Sequence, residues 1–395
     1  MSADLGLAVR IAALYAAAFA GNGLYLTFYP IWLADRGFPA AEIGLIIGLP
    51  IFVRAAVSPF IAFQADRAFG VRPLLLITSL VAAAGFFALP LASGFIAVLF
   101  VTSIAFAAQG PAGPLTDIVA IESLRRRPRL HYGRLRMWGS ASFIAASLGG
   151  GALVGVFSPS SIPTLLALSA LLAAAMAFAA PRGTAREPER PDGAPAEEPA
   201  ASRRLVLLII LATAFSHASH AMIYTFGSIM LQKAGFSSAA IGLIWASGVV
   251  VEITLFAVVG AAAGPGFPAF TFLAIGAGVG IARWIGLATG VEGAWLVLLI
   301  ALHGITFGAT LLGSIGAFAR IPSGGRRGRQ QGLFIAVNAT LNGITTAACG
   351  PLYEAFGAAS FLAMVPVGMA SLGATAWAAR IAANPVQPHK AGAGG

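Results

Sequence analysis

Nine ionisable side chains lie inside apolar stretches of this sequence: Arg54, Asp117, Glu122, Arg136, His217, His220, Glu252, Arg283 and His303. At bilayer depth an ionisable group costs about 2.5 kcal/mol or more on insertion scales, so each needs a partner, an aqueous cavity or a proton. The chemistry open to such a set is the binding of a charged solute and the carrying of protons. His217 and His220 lie three residues apart on one helix face, but no third ligand accompanies them, so no metal centre is expected. Gly149, Gly150 and Gly151 read as helix-packing surface, because no GK[ST] or strand context makes them a phosphate loop. The single cysteine, Cys349, allows no intramolecular disulfide and supports neither a zinc site nor a thiol enzyme. No cofactor is expected.

Two of these charges are related by an internal repeat. The segment from Gly37-Phe38 to Ile43-Gly44-Leu45-Ile46 recurs as Gly235-Phe236 to Ile241-Gly242-Leu243-Ile244, offset by 198 residues. The same offset relates Arg54 to Glu252 and Asn22 to His220. All four are therefore expected at equivalent places in two halves, lining a shared central cavity. The plainer alternative has Arg54 capping nearby carbonyls and His220 bonded to a neighbouring helix.

The elements that must position these residues are transmembrane helices. Of the 395 residues 58% are hydrophobic and only 10% are charged, and the mean hydropathy is +0.87; a soluble domain carries about 25% charged residues. Apolar stretches near the length that crosses about 30 Å of hydrocarbon recur at roughly 8–33, 41–63, 73–92, 95–122, 135–157 and 162–180. Six more follow at roughly 205–231, 239–262, 267–289, 294–319, 332–353 and 358–381. Between the sets lies a Pro-rich, charged stretch without apolar periodicity. The expected organisation is an N-terminal six-helix bundle over 1–180, a cytoplasmic linker over 181–204, a C-terminal bundle over 205–383 and a disordered tail over 384–395. The fold class is thus all-α and polytopic, with twelve transmembrane helices in two pseudo-symmetric bundles.

Charge placement sets the orientation. Twenty of the 24 basic residues fall in alternate loops and at the ends, two (Arg36 and Lys233) fall in the opposite loops, and Arg54 and Arg283 lie inside spans. By the positive-inside rule both termini are cytoplasmic, in a bacterial-type inner membrane. The net charge of +10 and pI near 10.8 are explained by that asymmetry, so no nucleic-acid partner is expected. Trp32, Trp284 and Trp295 near helix ends read as interface anchors.

Three motifs bear a family resemblance that covers nearly the whole chain. Asp66-Arg67-Ala-Phe-Gly70-Val-Arg72 resembles the D-R-x-x-G-x-R/K gate motif of the major facilitator superfamily, although Gln64 and Ala65 replace its usual upstream residues and the second half lacks a copy. The segment Tyr132-Gly133-Arg134-Leu135-Arg136-Met137-Trp138-Gly139-Ser140-Ala141-Ser142-Phe143 resembles one shared by phenylpropionate permeases and the lactose-type proton symporters. His303-Gly304-Ile305-Thr306-Phe307-Gly308 is similar to the phenylpropionate-permease branch. The resemblance implies a gate role for Asp66 and Arg67. It implies that Arg136 and, with a one-residue loop difference, Asp117 bind substrate together near Ser140, with Phe143 standing where lactose-type proteins have a stacking aromatic. It further implies a coupling cluster of Glu252, Arg283 and His303, with Glu252 the proton carrier, although Thr306 and Phe307 stand where that family has a second carboxylate. Arg283 is expected to neighbour His303 rather than Glu252.

The function implied is secondary active transport, expected as proton symport of a small organic solute by alternating access, with no enzymatic activity. Arg54 and Arg136 favour an aromatic carboxylate. A sugar or nucleoside is the alternative solute, and a non-transporting membrane sensor is the rival class. The partners are a small-molecule substrate, protons and the lipid bilayer, and a monomer is expected.

Overall fold

The computed structural model describes residues 2–65, 70–125, 127, 130–180, 200–260, 266–321 and 327–383. Among these residues the architecture is all-helical. The helices are α1 (Ser2–Asp35), α2 (Ala40–Gln64), α3 (Val71–Ala88), α4 (Gly94–Gln109), α5 (Ala112–Leu124), α6 (Tyr132–Phe157) and α7 (Ile162–Ala179). After residues 181–199 come α8 (Ala200–Ala218), α9 (Ala221–Lys233), α10 (Ser238–Gly260), α11 (Ala269–Ala288), α12 (Gly293–Ala301), α13 (His303–Ala319), α14 (Arg327–Phe356) and α15 (Met364–Ala383). Helix α8 begins at Ala200, inside the stretch expected as linker, because Ala and Arg are strong helix formers.

Eleven stretches are long and apolar enough to cross a membrane, against the twelve expected. The last, Arg329–Ala383, is 55 residues long and holds both α14 and α15. A 3-10 segment, Gly357–Ala363, carries helical backbone from one to the other, so no loop separates them.

The repeat seen in the sequence folds the same way twice. Gly37 and Gly235 take φ of 81° and 85°, the left-handed region that only glycine enters without strain. In each copy the next amide closes the preceding helix: Phe38 N–H donates to Leu33 O at 3.2 Å and Phe236 N–H to Leu231 O at 3.1 Å. The chain then turns into α2 and α10.

Three expected spans are each broken into two helices, and side chains or proline cause the breaks. At 110–111, proline supplies no N–H and its ring opposes the carbonyl four residues back. Between α8 and α9, Ser216 O accepts from both Ser219 Oγ (2.7 Å) and His220 Nδ1 (2.8 Å), while His220 N turns to His217 O at 3.0 Å. At Leu302, the Arg283 guanidinium takes the carbonyls of Leu299 and Ile300. A side chain inserted into the carbonyl ladder is a recognised cause of such kinks.

The most extensive contacts between helices on either side of residues 181–199 are two crossings, α2 with α14 and α6 with α10. Small residues make both possible. A Cβ at Gly44 would fall 2.7 Å from Gly350 Cα, and one at Gly242 would fall 2.2 Å from Ser147 O, so the helix backbones touch there. Ala41 N–H donates to Glu354 Oε2 at 2.8 Å across the first crossing. These contacts lie at the face opposite the start of α1, called here the far face. Phe226 stacks on Tyr353 at 4.2 Å between them, within a buried cluster that draws on both halves. The far face is sealed, and the space between the halves widens toward the face where the chain begins.

Candidate functional site

A cavity of about 530 Å³ occupies that space. Its walls come from α1 (Asn22, Tyr25, Leu26), α2 (Ile47, Ile51, Arg54, Ser58), the α4–α5 break (Phe106, Gly110, Pro114), α6 (Phe143), α9 (Tyr224, Thr225) and α14 (Phe334, Asn338, Asn342, Thr346). It lies on the open side of the Gly44 and Gly350 seal. Of the residues expected from sequence, Asn22, Arg54 and Phe143 line it.

Among the described residues Arg54 is its one charged wall residue. Its guanidinium carbon lies 5.1 Å from the Phe106 ring centroid, and its stem packs on the bare Cα of Gly110, where a Cβ would fall 2.7 Å from Arg54 Cγ. Among the described residues no carboxylate comes within 4.0 Å of it. Two further wall groups are buried without a hydrogen-bond partner among the described residues, Tyr25 OH and Ser58 Oγ. Tyr25 stacks between Tyr29 (4.7 Å) and Phe106 (4.8 Å), which fixes its ring. A desolvated guanidinium beside spare hydroxyl donors is the arrangement that receives an anionic head group.

Asp117 and Arg136 are brought together, at 4.0 Å, outside this cavity's lining. Asp117 Oδ1 accepts from Tyr15 OH at 2.7 Å and Tyr132 OH at 2.9 Å, and Arg136 stacks over Phe19 at 4.1 Å. The pair is a third exposed and joins α1, α5 and α6 near the open face. Ser140, one turn further along α6, is half-buried and does not line the cavity.

The 198-residue relation does not put His220 and Glu252 on the same cavity wall as Asn22 and Arg54. The break after Ala218 turns His220 into its own half, where it is fully buried, edge-on to Trp284 (5.3 Å) and His303 (5.3 Å). Ser216 O and Thr306 Oγ1, at 2.8 and 2.9 Å, occupy its two ring nitrogens. Arg283 is fully buried beside it and donates to Thr306 Oγ1 (2.9 Å), Leu299 O (2.6 Å) and Ile300 O (3.4 Å). The last two are carbonyls at the C-terminal end of α12, whose dipole favours a cation. Thr306, which stands where a carboxylate was looked for, is thus the link between Arg283 and His220.

His303 adjoins this network. Its Nε2 lies 3.4 Å from Tyr224 OH and its Nδ1 is buried without a partner among the described residues. Glu252 lies on α10 where that helix packs against Gly304 and Gly308 of α13. Among the described residues it makes no hydrogen bond or ion pair. Asp66 and Arg67 lie outside the described residues.

Several cavity residues were not singled out by sequence reasoning. Tyr25 and Ser58 sit in apolar spans like many others and become distinctive only through their orientation. Asn338 and Asn342 did carry a signal, as uncharged polar residues one turn apart in an apolar span. His217, counted among the intramembrane charges but given no site role from sequence, lines a second cavity and bonds Asn338 Oδ1 through Nδ1 at 3.0 Å.

The profile of a family described as "MFS_1 like family" matches residues 8–364. A protein of Escherichia coli (strain K12) named "Probable 3-phenylpropionic acid transporter" is 28% identical over 374 residues, covering 90% of this chain and 93% of that relative. The crystal structure of the nucleoside transporter NupG superposes with a TM-score of 0.76 at 17% identity, over 95% of this chain and 98% of that one. A bacterial homologue of the human lysosomal transporter Spinster, in an inward-facing and unoccupied conformation, matches with a TM-score of 0.68 at 15% identity, over 95% of each chain. At these identities the structural likeness is one of fold.

Proposed function

The chain belongs to the MFS_1-like family of multi-pass membrane transporters and is not an enzyme, and on that premise we propose that it is a proton symporter of a small aromatic carboxylate. The observation that carries the solute class is Arg54, a guanidinium in the wall of a mostly apolar cavity with no carboxylate among the described residues to neutralise it. A carboxylate solute supplies the missing charge, and Tyr25 and Ser58 supply hydroxyl donors to it. The ring of the solute meets Phe143, Phe334 and Ile51. The name of the Escherichia coli relative, a phenylpropionic acid transporter, favours the same class.

In this reading Glu252 carries the proton, because it is a carboxyl at the α10 and α13 contact with no hydrogen-bond or ion-pair partner among the described residues. Arg283 and His303 complete the coupling group as a cation and a titratable ring. Asp117 and Arg136, 4.0 Å apart near the open side, receive the solute there, and the Asp66 and Arg67 motif keeps the gate role that its resemblance implies. The membrane is a bacterial-type inner membrane with both termini cytoplasmic, and one chain holds every wall of the site, so a monomer suffices. A sugar or nucleoside is the competing solute, favoured by the neutral pair Asn338 and Asn342 in the cavity wall.

The test is uptake by purified protein in proteoliposomes under an imposed proton gradient. Concentrative uptake of 3-phenylpropionate, with alkalinisation outside the vesicle and competition by other arylalkanoates, is the expected result. Uptake of a nucleoside or hexose with no competition by 3-phenylpropionate would replace the carboxylate by the neutral solute. Failure of counterflow with every solute would favour a sensor.

A further inference from the structure

A second cavity of about 530 Å³ lies beside the first, between α8, α13 and α14, and the two share Phe334. This volume falls within the range of about 300–1,000 Å³ usual for small-molecule sites. Its walls are apolar along Leu311, Ile315, Phe318 and Phe334, and four polar side chains interrupt them, His217, Ser314, Gln330 and Gln331. Two of these four present a buried nitrogen with no hydrogen-bond partner among the described residues, His217 Nε2 and Gln330 Nε2. Buried polar atoms are almost always satisfied, so two orphans on one cavity point to a ligand.

The hydrogen bonds around His217 fix what it offers. Asn342 Nδ2 donates to Asn338 O at 2.8 Å and to Asn338 Oδ1 at 3.3 Å, which makes that Oδ1 an acceptor. His217 Nδ1, 3.0 Å from the same oxygen, must then be the donor, so the neutral ring carries its proton on Nδ1 and keeps an unshared lone pair at Nε2. A lone pair calls for a donor, and the Gln330 amide offers N–H to an acceptor. A carboxyl group with its proton provides both. With a carboxylate anion the same contact forms once His217 has accepted a proton at Nε2, so anion and proton enter as one neutral unit whichever atom holds the hydrogen.

We propose that this cavity is a second binding station for the carboxylic solute, nearer the open face than Arg54, at which His217 takes the anion together with one proton. The solute class rests on the reading given above; the station itself rests on the orphaned pair. The aromatic surroundings suit an arylalkyl tail, since Phe334 stands edge-on to Phe318 at 6.4 Å and His217 stacks on Phe307 at 5.4 Å. Asn338 both bonds His217 and lines the first cavity, so the two stations share a wall. Among the described residues the titratable groups whose charge is felt between them and His217 are His220 and His303; Asn338, Phe307 and Phe334, which touch its ring, are neutral.

Equilibrium binding of radiolabelled 3-phenylpropionate to the full chain in nanodiscs, with a pH dye in weak buffer, separates the stations. The wild type is expected to bind two molecules per chain and to take up a proton with one of them. His217→Gln and the cavity-filling Ile315→Trp should each leave one bound molecule and abolish that proton uptake, while Arg54→Gln should remove the other molecule and keep the uptake. The molecule still bound shows that each variant is folded. Two molecules and undiminished proton uptake in both His217→Gln and Ile315→Trp would overturn the second station and leave the Arg54 site standing. A single molecule in the wild type, lost only in Arg54→Gln, would overturn it likewise, and no binding in the wild type would overturn both readings.

Discussion

Two intramembrane arginines in this chain meet opposite fates. Arg283 is satisfied internally, by Thr306 and by the carbonyls that end α12, and no solute is needed to balance it. Arg54 has only a ring face and open cavity around it. Replacing Arg54 by Gln removes a desolvated charge partner, a loss of about 2–5 kcal/mol, so the KM for an arylalkanoate is expected to rise by about 30-fold or more with expression unchanged. Transport assays across a series of neutral analogues would check the assignment, since their handling should be unaffected. Arg283→Met acts on stability instead. It strands two carbonyls and a hydroxyl, at a cost of about 2–3 kcal/mol, and a lower Tm in detergent with an unaltered KM is the expected signature. An Arg54 variant with unchanged KM would remove the carboxylate reading at its root.

The helices matter through where they cross and where they break. The repeat places Gly44 and Gly242 at corresponding crossings, each pressed on backbone of the other half. A Leu at position 44 cannot be accommodated by rotating a flexible neighbour, because the atoms it meets belong to the Gly350 main chain. The far-face seal should therefore loosen, and the native Cys349, fully buried beside that contact and the sole cysteine of the sequence, reports on it. Faster maleimide labelling of Cys349 in Gly44→Leu is the expected outcome; a rate equal to that of the wild type would mean the crossing does not seal the pathway. The breaks serve the site differently. Gly110 leaves room for the Arg54 stem, and a bulkier Val there should reduce transport as severely as loss of the arginine itself.

Across the whole molecule, the arrangement is a fixed cavity between two sets of helices that touch at the far face and part at the other. Such a structure works by rocking between that state and its opposite, and coupling requires a group whose charge is tied to which state prevails. Glu252, a carboxyl at the contact of α10 with α13, is the group proposed for that place. Glu252→Gln mimics the protonated side chain permanently. It is expected to abolish accumulation driven by a proton gradient while sparing solute exchange, measured as uptake and counterflow in the same proteoliposomes. Accumulation equal to the wild type would transfer the role to another group, and His217 would be the first to examine.

The amino-acid sequence by itself determined the apolar spans, the sidedness of charge, the repeat and the inventory of intramembrane charges. These are local properties: span length follows from bilayer thickness, and Gly37 and Gly235 cap their helices wherever those helices lie. It also singled out Asn22, Arg54 and Phe143, which line one cavity, and the Asp117 and Arg136 pair, which the fold draws together. Which histidine faces a cavity was decided by the tertiary structure alone. A span that is apolar on every side carries no amphipathic direction, so its rotation is set by packing and by breaks of the kind seen at Ser216. That break turned His220 inward to Thr306 and left His217, three residues earlier, lining the second cavity. For the same reason Arg54 and Glu252, matched to the residue in sequence, stand in different surroundings, because each is placed by the neighbours its own helix meets.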